Sequence, residues 1–366
     1  MLLGERKWYR TMDSSDAGFV RKCCFLAWVL VFCAPPAIAQ GFGEEPYIFL
    51  QKYVGCSQSD LKGLKRGEPL AKILQTDNPS EVAVFGAIRV NVPAEFFVQK
   101  YRDIANFKKS KEVLQIGKFA QPPGLGDIQS LTFDATEINS LKDCIVGACN
   151  MKLTAQMIGR LRKEVNWSAS TSNQQVAEIF RSMLFDYVAS YWAKGNENLA
   201  VYEDKKTPAR LADQLRSLLQ ASPYLKAYLP GFENYLANYP NLRLPGSEEF
   251  IYWSKEQFGV KPVVSVSHVT IHKISDQNNT SVVIGSKQIF ANHYFTTSLG
   301  LAAFTRVPGS GNEVSGYLMY LNRSRVDLLG GFLSFLKRWV LNRRLRQGLE
   351  DNLLLMKKRL ESGYAA

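Results

Sequence analysis

The chain has 366 residues, of which 46% are hydrophobic and 21% are charged. This apolar content is enough for a packed core, so the composition excludes a globally disordered protein. The length allows one large domain or two. Lys and Arg number 45 against 33 Asp and Glu, which gives a formal net charge of +12. That charge favours anionic surfaces or ligands, and a generally basic soluble surface is the alternative explanation.

Residues 1–39 contain the three parts of a secretory signal peptide. Arg21 and Lys22 precede an apolar run at residues 23–33, and Ala37-Ile38-Ala39 provides a small-residue cleavage site. The sequence therefore predicts cleavage after Ala39 and a periplasmic or secreted protein, with Met12 as an alternative start. The apolar run is shorter than the roughly 20 residues that span a bilayer, and an uncleaved anchor is the alternative. Cleavage lowers the net charge by two, to +10.

Three of the six cysteines lie in this leader, and Cys56, Cys144 and Cys149 remain in the mature chain. Thiols pair in oxidising compartments. Cys144 and Cys149 are separated by a short segment with Gly147, so we predict a local disulfide that contributes about 2 kcal/mol. Cys56 is then unpaired, or pairs by rearrangement or between chains. A metal site needs more ligands than this spacing supplies, and we predict neither a metal nor a cofactor.

The first half of the mature chain predicts a strand and a helix in succession. Residues 40–79 are interpreted as an irregular lead-in, with a helix near Tyr47–Val54. Glu81–Val92 is rich in β-branched residues and predicts a strand, and Pro93 is well placed to begin a helix. The remaining predicted strands are Val113–Phe119 and three short pieces at Leu131–Phe133, Cys144–Ile145 and Asn150–Leu153.

Residues 154–240 have a helical pattern. Ser172 could cap a helix that reaches Lys194, and Ser222-Pro223 is a further helix start. Four tyrosines follow at near-helical spacing: Tyr224, Tyr228, Tyr235 and Tyr239. Such a stripe is typical of a packing seam, and a ligand tunnel is the alternative because tyrosine offers both ring area and a hydroxyl.

The last hundred residues predict a sheet closed by a helix. The strand-like runs are Val263–Ile274, Ser281–Arg306, which is long enough for a hairpin, and Gly316–Arg323. An amphipathic helix is predicted from Val326 to Glu361, with an apolar stripe that includes Leu349. A curved antiparallel sheet covered by such a helix encloses an apolar pocket between the two.

This order of elements resembles the START-like (helix-grip, polyketide-cyclase-type) superfamily. Phe85–Val92 followed by Pro93–Asp103 looks like its opening strand and helix, and the strands from Val263 with the terminal helix look like its closing half. The resemblance implies an α+β fold with a curved antiparallel sheet gripped by the C-terminal helix. Residues 80–153 and 241–362 would be its two halves, and residues 154–240 a helical insertion. It also implies an apolar cavity for a lipid, sterol or polycyclic ligand.

Few polar side chains qualify as site residues. His268 and His272 are four residues apart in a strand and therefore point to the same face. His268, His293 and Tyr294 are candidate polar contacts for a ligand in the cavity, and half-buried structural positions are the alternative. Arg323 is a candidate for an anionic headgroup, whereas a structural ion pair between Arg323 or Arg325 and Asp327 is the alternative.

Common catalytic motifs are absent from the sequence. It contains no Gly-x-Ser-x-Gly, no HExxH, no P-loop and no GxGxxG. We therefore expect an exported carrier of a hydrophobic small molecule, without nucleic-acid binding. A cavity enzyme and a structural envelope protein are the alternatives. The apolar run at residues 328–341, with basic residues beside it, suggests transient contact with a membrane surface, and the core-facing side of the helix is the alternative.

Overall fold

The computed structural model describes residues 46–257, 259, 261–275, 280–307, 314–327 and 334–365. The predicted signal peptide, residues 1–39, lies outside the described residues. The first elements are α1 (Pro46–Val54), α2 (Gln58–Arg66), β1 (Leu70–Leu74), β2 (Glu81–Val90), α3 (Ala94–Arg102), α4 (Ile104–Phe107) and β3 (Val113–Lys118). The middle of the chain forms α5 (Ala135–Lys142), α6 (Ala155–Glu164), α7 (Ser172–Lys194), β4 (Val201–Tyr202), β5 (Ala209–Arg210), α8 (Leu211–Gln220), α9 (Pro223–Tyr228) and α10 (Pro230–Asn238).

The final part of the chain builds most of the sheet. It forms β6 (Glu248–Glu256), β7 (Val263–Ser275), β8 (Thr280–Ala291), β9 (Phe295–Arg306), β10 (Gly316–Val326) and α11 (Ser334–Ala365). Eight strands form one sheet in the order β1-β2-β10-β9-β8-β7-β6-β3. Each neighbouring pair is antiparallel. The fold is therefore α+β, with a large antiparallel sheet and a C-terminal helix, as the sequence predicts.

The two faces of the sheet are covered by different helices. One face carries Phe85, Leu301 and Leu321 and belongs to the larger apolar cluster, which also contains residues of α1 and of α5–α10. The opposite face packs against α3 and the second half of α11. This smaller cluster contains Ile88, Val269, Ile284, Ala302, Phe304, Leu318 and Leu353. We call these the helical-layer face and the C-terminal-helix face.

A glycine permits the close approach of α11 to β2. A Cβ atom added to Gly86 would lie 3.0 Å from Leu353 Cδ1 and 3.1 Å from Leu349 Cδ1. These distances are shorter than ordinary carbon contacts, so a side chain at position 86 would push the helix outward. The apolar stripe predicted for this helix therefore packs on the sheet through its second half.

The predicted disulfide is confirmed. Cys144 and Cys149 are bonded, in the segment between α5 and α6. Cys56 is a free and buried cysteine. Burial raises the pKa of its thiol to about 11, so it is a neutral core residue at physiological pH. Among the helices that the structure describes, none combines the length and hydropathy of a membrane span.

Two stretches of the sequence prediction were wrong. Residues 40–79 contain α2 and β1, and Ser57 and Asp60 form a capping box that starts α2. The short strands predicted near Leu131–Phe133 and Asn150–Leu153 do not form, and α5 lies between them. A second capping box, formed by Asp134 and Glu137, accounts for this helix because it satisfies two backbone N–H groups at its start.

The predicted start of the C-terminal helix was also wrong. Val326 is the last residue of β10, where it pairs with Phe295 of β9. Strand pairing therefore continues three residues beyond the predicted end at Arg323. Residues 328–333 lie outside the described part of the chain, and α11 is described from Ser334.

Candidate functional site

An apolar cavity lies between the helical-layer face of the sheet and helices α1 and α9. Its volume is about 30 Å³, which is room for about two water molecules. The lining consists of hydrophobic and aromatic residues: Phe49, Phe85, Tyr224, Leu225, Leu229, Val283, Leu301, Ala303, Met319 and Leu321. The hydroxyl of Tyr224 donates to Ser222 Oγ at 2.8 Å. The cavity therefore offers an apolar surface, and apolar cavities of this kind stay dry.

The register of the sheet determines which side chains form the floor of this cavity. Val283, Ala303 and Met319 lie opposite one another on β8, β9 and β10. Leu301 and Leu321 form the next cross-strand row. Directly opposed residues in antiparallel strands point to the same face, so these five side chains form one continuous apolar floor.

The roof of the cavity is mostly a single short helix. Tyr224 and Leu225 belong to α9, which has six residues, and Leu229 follows it. Ser222 and Leu229 flank α9 with non-helical backbone angles, and neither end has a side-chain hydrogen bond to a cap. Isolated turns of helix are marginally stable, so α9 is held mainly by the apolar side chains that it buries.

A cross-strand row that contains three basic side chains borders the cavity floor. The next cross-strand row after Leu301 and Leu321 runs through His268, Lys287, Leu299 and Arg323. Two predicted site residues, His268 and Arg323, therefore lie on the cavity side of the sheet. They are three strands apart, or about 14 Å for typical strand spacing, so they do not form one constellation.

His268 belongs to a buried polar cluster with α7 and α10. Its Nδ1 lies 2.9 Å from the Tyr191 hydroxyl, and its Nε2 lies 3.6 Å from Glu249 Oε2. The second distance is too long for a hydrogen bond. Tyr235 donates to Glu249 Oε1 at 2.7 Å. Burial lowers the pKa of His268 to about 4, against the smaller opposing effect of Glu249, so the imidazole is neutral at pH 7.

Lys287 is the cross-strand neighbour of His268 and is 1% exposed. Its ammonium donates to Asn196 Oδ1 at 2.7 Å and lies 4.9 Å from the centre of the Tyr239 ring. No carboxylate in the described residues forms an ion pair with it. Burial lowers its pKa to about 7, although Glu249 acts in the opposite direction. Sequence reasoning missed this residue, because both faces of β8 are covered and the strand pattern does not distinguish them.

Arg323 occurs in a buried ion cluster at the end of the sheet. It pairs with Glu81 Oε1 of β2, and Arg325 Nη2 lies 3.1 Å from Glu81 Oε2. Arg325 also donates to Ser217 Oγ of α8 at 2.7 Å. The alternative ion pair with Asp327 does not form, because Asp327 points to Lys152 and Lys205 at 2.6 and 2.7 Å.

His293 and Tyr294 lie away from the cavity, in the turn between β8 and β9. Tyr294 has a positive φ of 58°, and its hydroxyl accepts a hydrogen bond from the Lys261 amide at 2.9 Å. Its carbonyl accepts a second one from the Asp327 amide at 2.8 Å. These contacts fix the shape of the turn. A ligand-binding role for His293 and Tyr294 stays a prediction.

Part of the C-terminal-helix face, where the sequence predicts one wall of an apolar pocket, is polar. By strand alternation, six polar side chains share the face of Ile284 and Leu318: Ser254, Ser265, Ser286, Ser298, Asn322 and Ser324. Asn322 Nδ2 donates to Ser298 Oγ at 2.9 Å. The part of the predicted pocket that these six side chains would line is therefore not apolar. The helix side of the predicted cavity lies largely outside the described residues.

Comparison of the chain with protein-family models, with curated proteins and with solved structures gives no match. The resemblance to START-like proteins therefore stays a prediction. Among the described residues, no group of three or more His, Cys, Asp or Glu is placed to hold a metal ion.

Proposed function

We propose that this protein binds a hydrophobic molecule in the cavity between α9 and the sheet. The observation that carries this proposal is the cavity itself, a void lined by ten hydrophobic and aromatic residues next to a row of buried basic groups. Native interiors pack closely and contain few voids larger than one water. Ligand pockets are concave and mostly apolar, as this void is, but they are larger, so a ligand must enlarge it.

A ligand larger than two water molecules requires the cavity to open. We infer that α9 moves outward, because it provides much of the roof and is bounded by two non-helical residues, Ser222 and Leu229. Transfer of an alkyl chain from water contributes about 0.8 kcal/mol per buried methylene group. A chain of about six methylene groups therefore gains about 5 kcal/mol, which works against the cost of exposing the buried side chains of α9.

The predicted leader and the resemblance to START-like proteins also favour an exported protein that carries a hydrophobic molecule. We propose export to the periplasm or the exterior, and a distant START-like relationship. That resemblance implies a pocket on the C-terminal-helix face, whereas the cavity under α9 lies on the helical-layer face. A carrier is favoured over a cavity enzyme because His268 is enclosed by Tyr191, Tyr239 and Trp192 and does not line the cavity. A structural protein without a ligand is the remaining alternative.

Two adjacent alanines of β9 provide a matched test. Ala303 lines the cavity, whereas Ala302 belongs to the cluster on the C-terminal-helix face. We expect Ala303→Leu to weaken binding of decanol by roughly tenfold or more because it fills the void, and Ala302→Leu to change affinity less than about threefold. Isothermal titration calorimetry on the mature protein gives the affinities, and thermal unfolding verifies that both variants fold.

The wild-type protein decides between a ligand-binding and a structural role. Native mass spectrometry after lipid extraction should show reloading with decanol or with extracted lipid. If the wild-type protein takes up neither decanol nor extracted lipid, the result favours a structural protein without a ligand. Equal loss of affinity in the Ala302→Leu and Ala303→Leu variants would place the site elsewhere.

A further inference from the structure

We propose that Arg323 and Arg325 form an anion-binding subsite at the end of the apolar cavity, and that the ligand is an aliphatic carboxylate. This inference rests on the proposed function and names the chemical class of its ligand. It is drawn from the charge, burial and unsatisfied donors of the cluster formed by Arg323, Arg325 and Glu81.

Among the described residues, the cluster contains two guanidinium groups and one carboxylate. Arg323 is 9% exposed, Arg325 is 4% exposed and Glu81 is 2% exposed. Glu81 contacts both arginines, one through each carboxylate oxygen. The three side chains therefore place one excess positive charge in a buried position, where an unpaired charge is strongly destabilising.

The same guanidinium groups have N–H donors without hydrogen-bond partners among the described residues. Within the described part of the chain, Arg323 Nε and both Nε and Nη1 of Arg325 are buried and lack a hydrogen-bond partner. Arginine presents its N–H groups in a planar fork that matches a carboxylate. An added carboxylate would accept from these donors and would also balance the single excess charge.

The position of the cluster connects it to the cavity. Arg323 follows the lining residue Leu321 by two positions on β10, so its side chain lies on the same face. Tyr224 also lines the cavity and is close to Arg323. Burial raises the pKa of Tyr224, whereas its hydrogen bond with Ser222 and the positive charge of Arg323 act in the opposite direction.

These positions define the orientation of the bound ligand. The alkyl chain occupies the floor formed by Leu301 and Leu321, and its carboxylate reaches the guanidinium of Arg323. One carboxylate carries one negative charge, which matches the excess counted over the described residues of the cluster. A dianionic phosphate would leave a buried negative charge in its place, so the geometry points to an acid with a single charge.

The test compares a charged and an uncharged ligand of equal chain length. We expect wild-type protein to bind decanoate at least about tenfold more tightly than decanol, because of the added charge-assisted hydrogen bonds. In Arg323→Gln, affinity for decanoate should fall by about tenfold while affinity for decanol changes less than about threefold. Arg325→Gln serves as the second variant, and calorimetry at fixed salt gives all affinities.

The outcomes separate this inference from the proposed function. Equal affinities for decanoate and decanol in wild type, or parallel losses for both probes in the arginine variants, overturn the carboxylate subsite but leave the apolar site intact. Absence of binding by either probe overturns both proposals. A further arm titrates acetate and chloride, and thermal stabilisation by these ions equal to that by decanoate would show a free-anion site unconnected to the chain.

Discussion

Replacing Lys287 with Met is expected to raise the free energy of unfolding at pH 7 by about 3 kcal/mol. Lys287 is 1% exposed and donates its one described hydrogen bond to Asn196. Burial lowers its pKa from 10.5 to about 7, so the folded protein disfavours the ammonium that the unfolded chain carries. Methionine has a similar length and no charge to bury.

The same residue predicts how stability depends on pH. Between its folded pKa of about 7 and its unfolded pKa near 10.5, the unfolded chain binds more protons than the folded protein. Stability of the wild type should therefore rise with pH, by about 2 kcal/mol between about pH 7 and pH 9. In Lys287→Met this contribution should disappear. Below pH 7 both states are protonated and the slope from Lys287 vanishes.

Urea denaturation at several pH values measures both effects. Lys273→Met is the matched control, since Lys273 lies on the neighbouring strand with a 37% exposed side chain paired with Glu95. Exposed ion pairs contribute little, so the control should change stability by less than about 1 kcal/mol. A Lys287→Met protein that is less stable than wild type, or that keeps the full pH slope, would contradict the account.

Replacing Glu81 with Gln is expected to destabilise the protein by roughly 3–5 kcal/mol. Glu81 is the carboxylate that both buried arginines share. Its removal leaves two guanidinium groups close together in the interior, with no described carboxylate between them. The effect should exceed that of a surface glutamate such as Glu164, which pairs with Arg160 at the end of α6.

A second variant distinguishes the effect of leaving the two arginines without their carboxylate from the effect of changing the packing at this site. The triple substitution Glu81→Leu, Arg323→Met and Arg325→Met removes every charge of the cluster together. Hydrophobic replacement of a complete buried ion cluster is often neutral or stabilising, so the triple variant should recover most of the stability lost in Glu81→Gln. Chemical denaturation of both variants measures this. A loss below about 1 kcal/mol in Glu81→Gln would show that the cluster is solvated rather than buried.

Local periodicity was enough to predict the larger elements. The strands β7–β10 and the long helix α7 have regular patterns over many residues. The Cys144–Cys149 disulfide was predicted from the spacing of the two cysteines and the compartment that the leader implies. By contrast, α2 and β1 are short and depend on a capping box and on pairing with β2. Elements of this size are decided by tertiary contacts as much as by local sequence.

The side of the sheet that contains the cavity could not be predicted from the sequence. Both faces of β8 and β9 are covered, so their buried residues run nearly continuously and do not indicate which helix lies over which face. His268 was singled out from its spacing with His272, and Arg323 from its place between the last predicted strand and the helix. Their positions beside the cavity depend on the register of four strands. Glu81, far away in the sequence, becomes the partner of Arg323 only because β2 pairs with β10.

Methyl NMR of the protein during titration with decanoate tests the location of the site most directly. We expect the largest chemical-shift changes at Leu225, Val283, Leu301 and Leu321, which line the cavity. Methyl groups on the C-terminal-helix face, at Ile284, Leu318 and Leu353, should move little. Shifts centred on that second group, with the cavity residues unchanged, would contradict a site between α9 and the sheet.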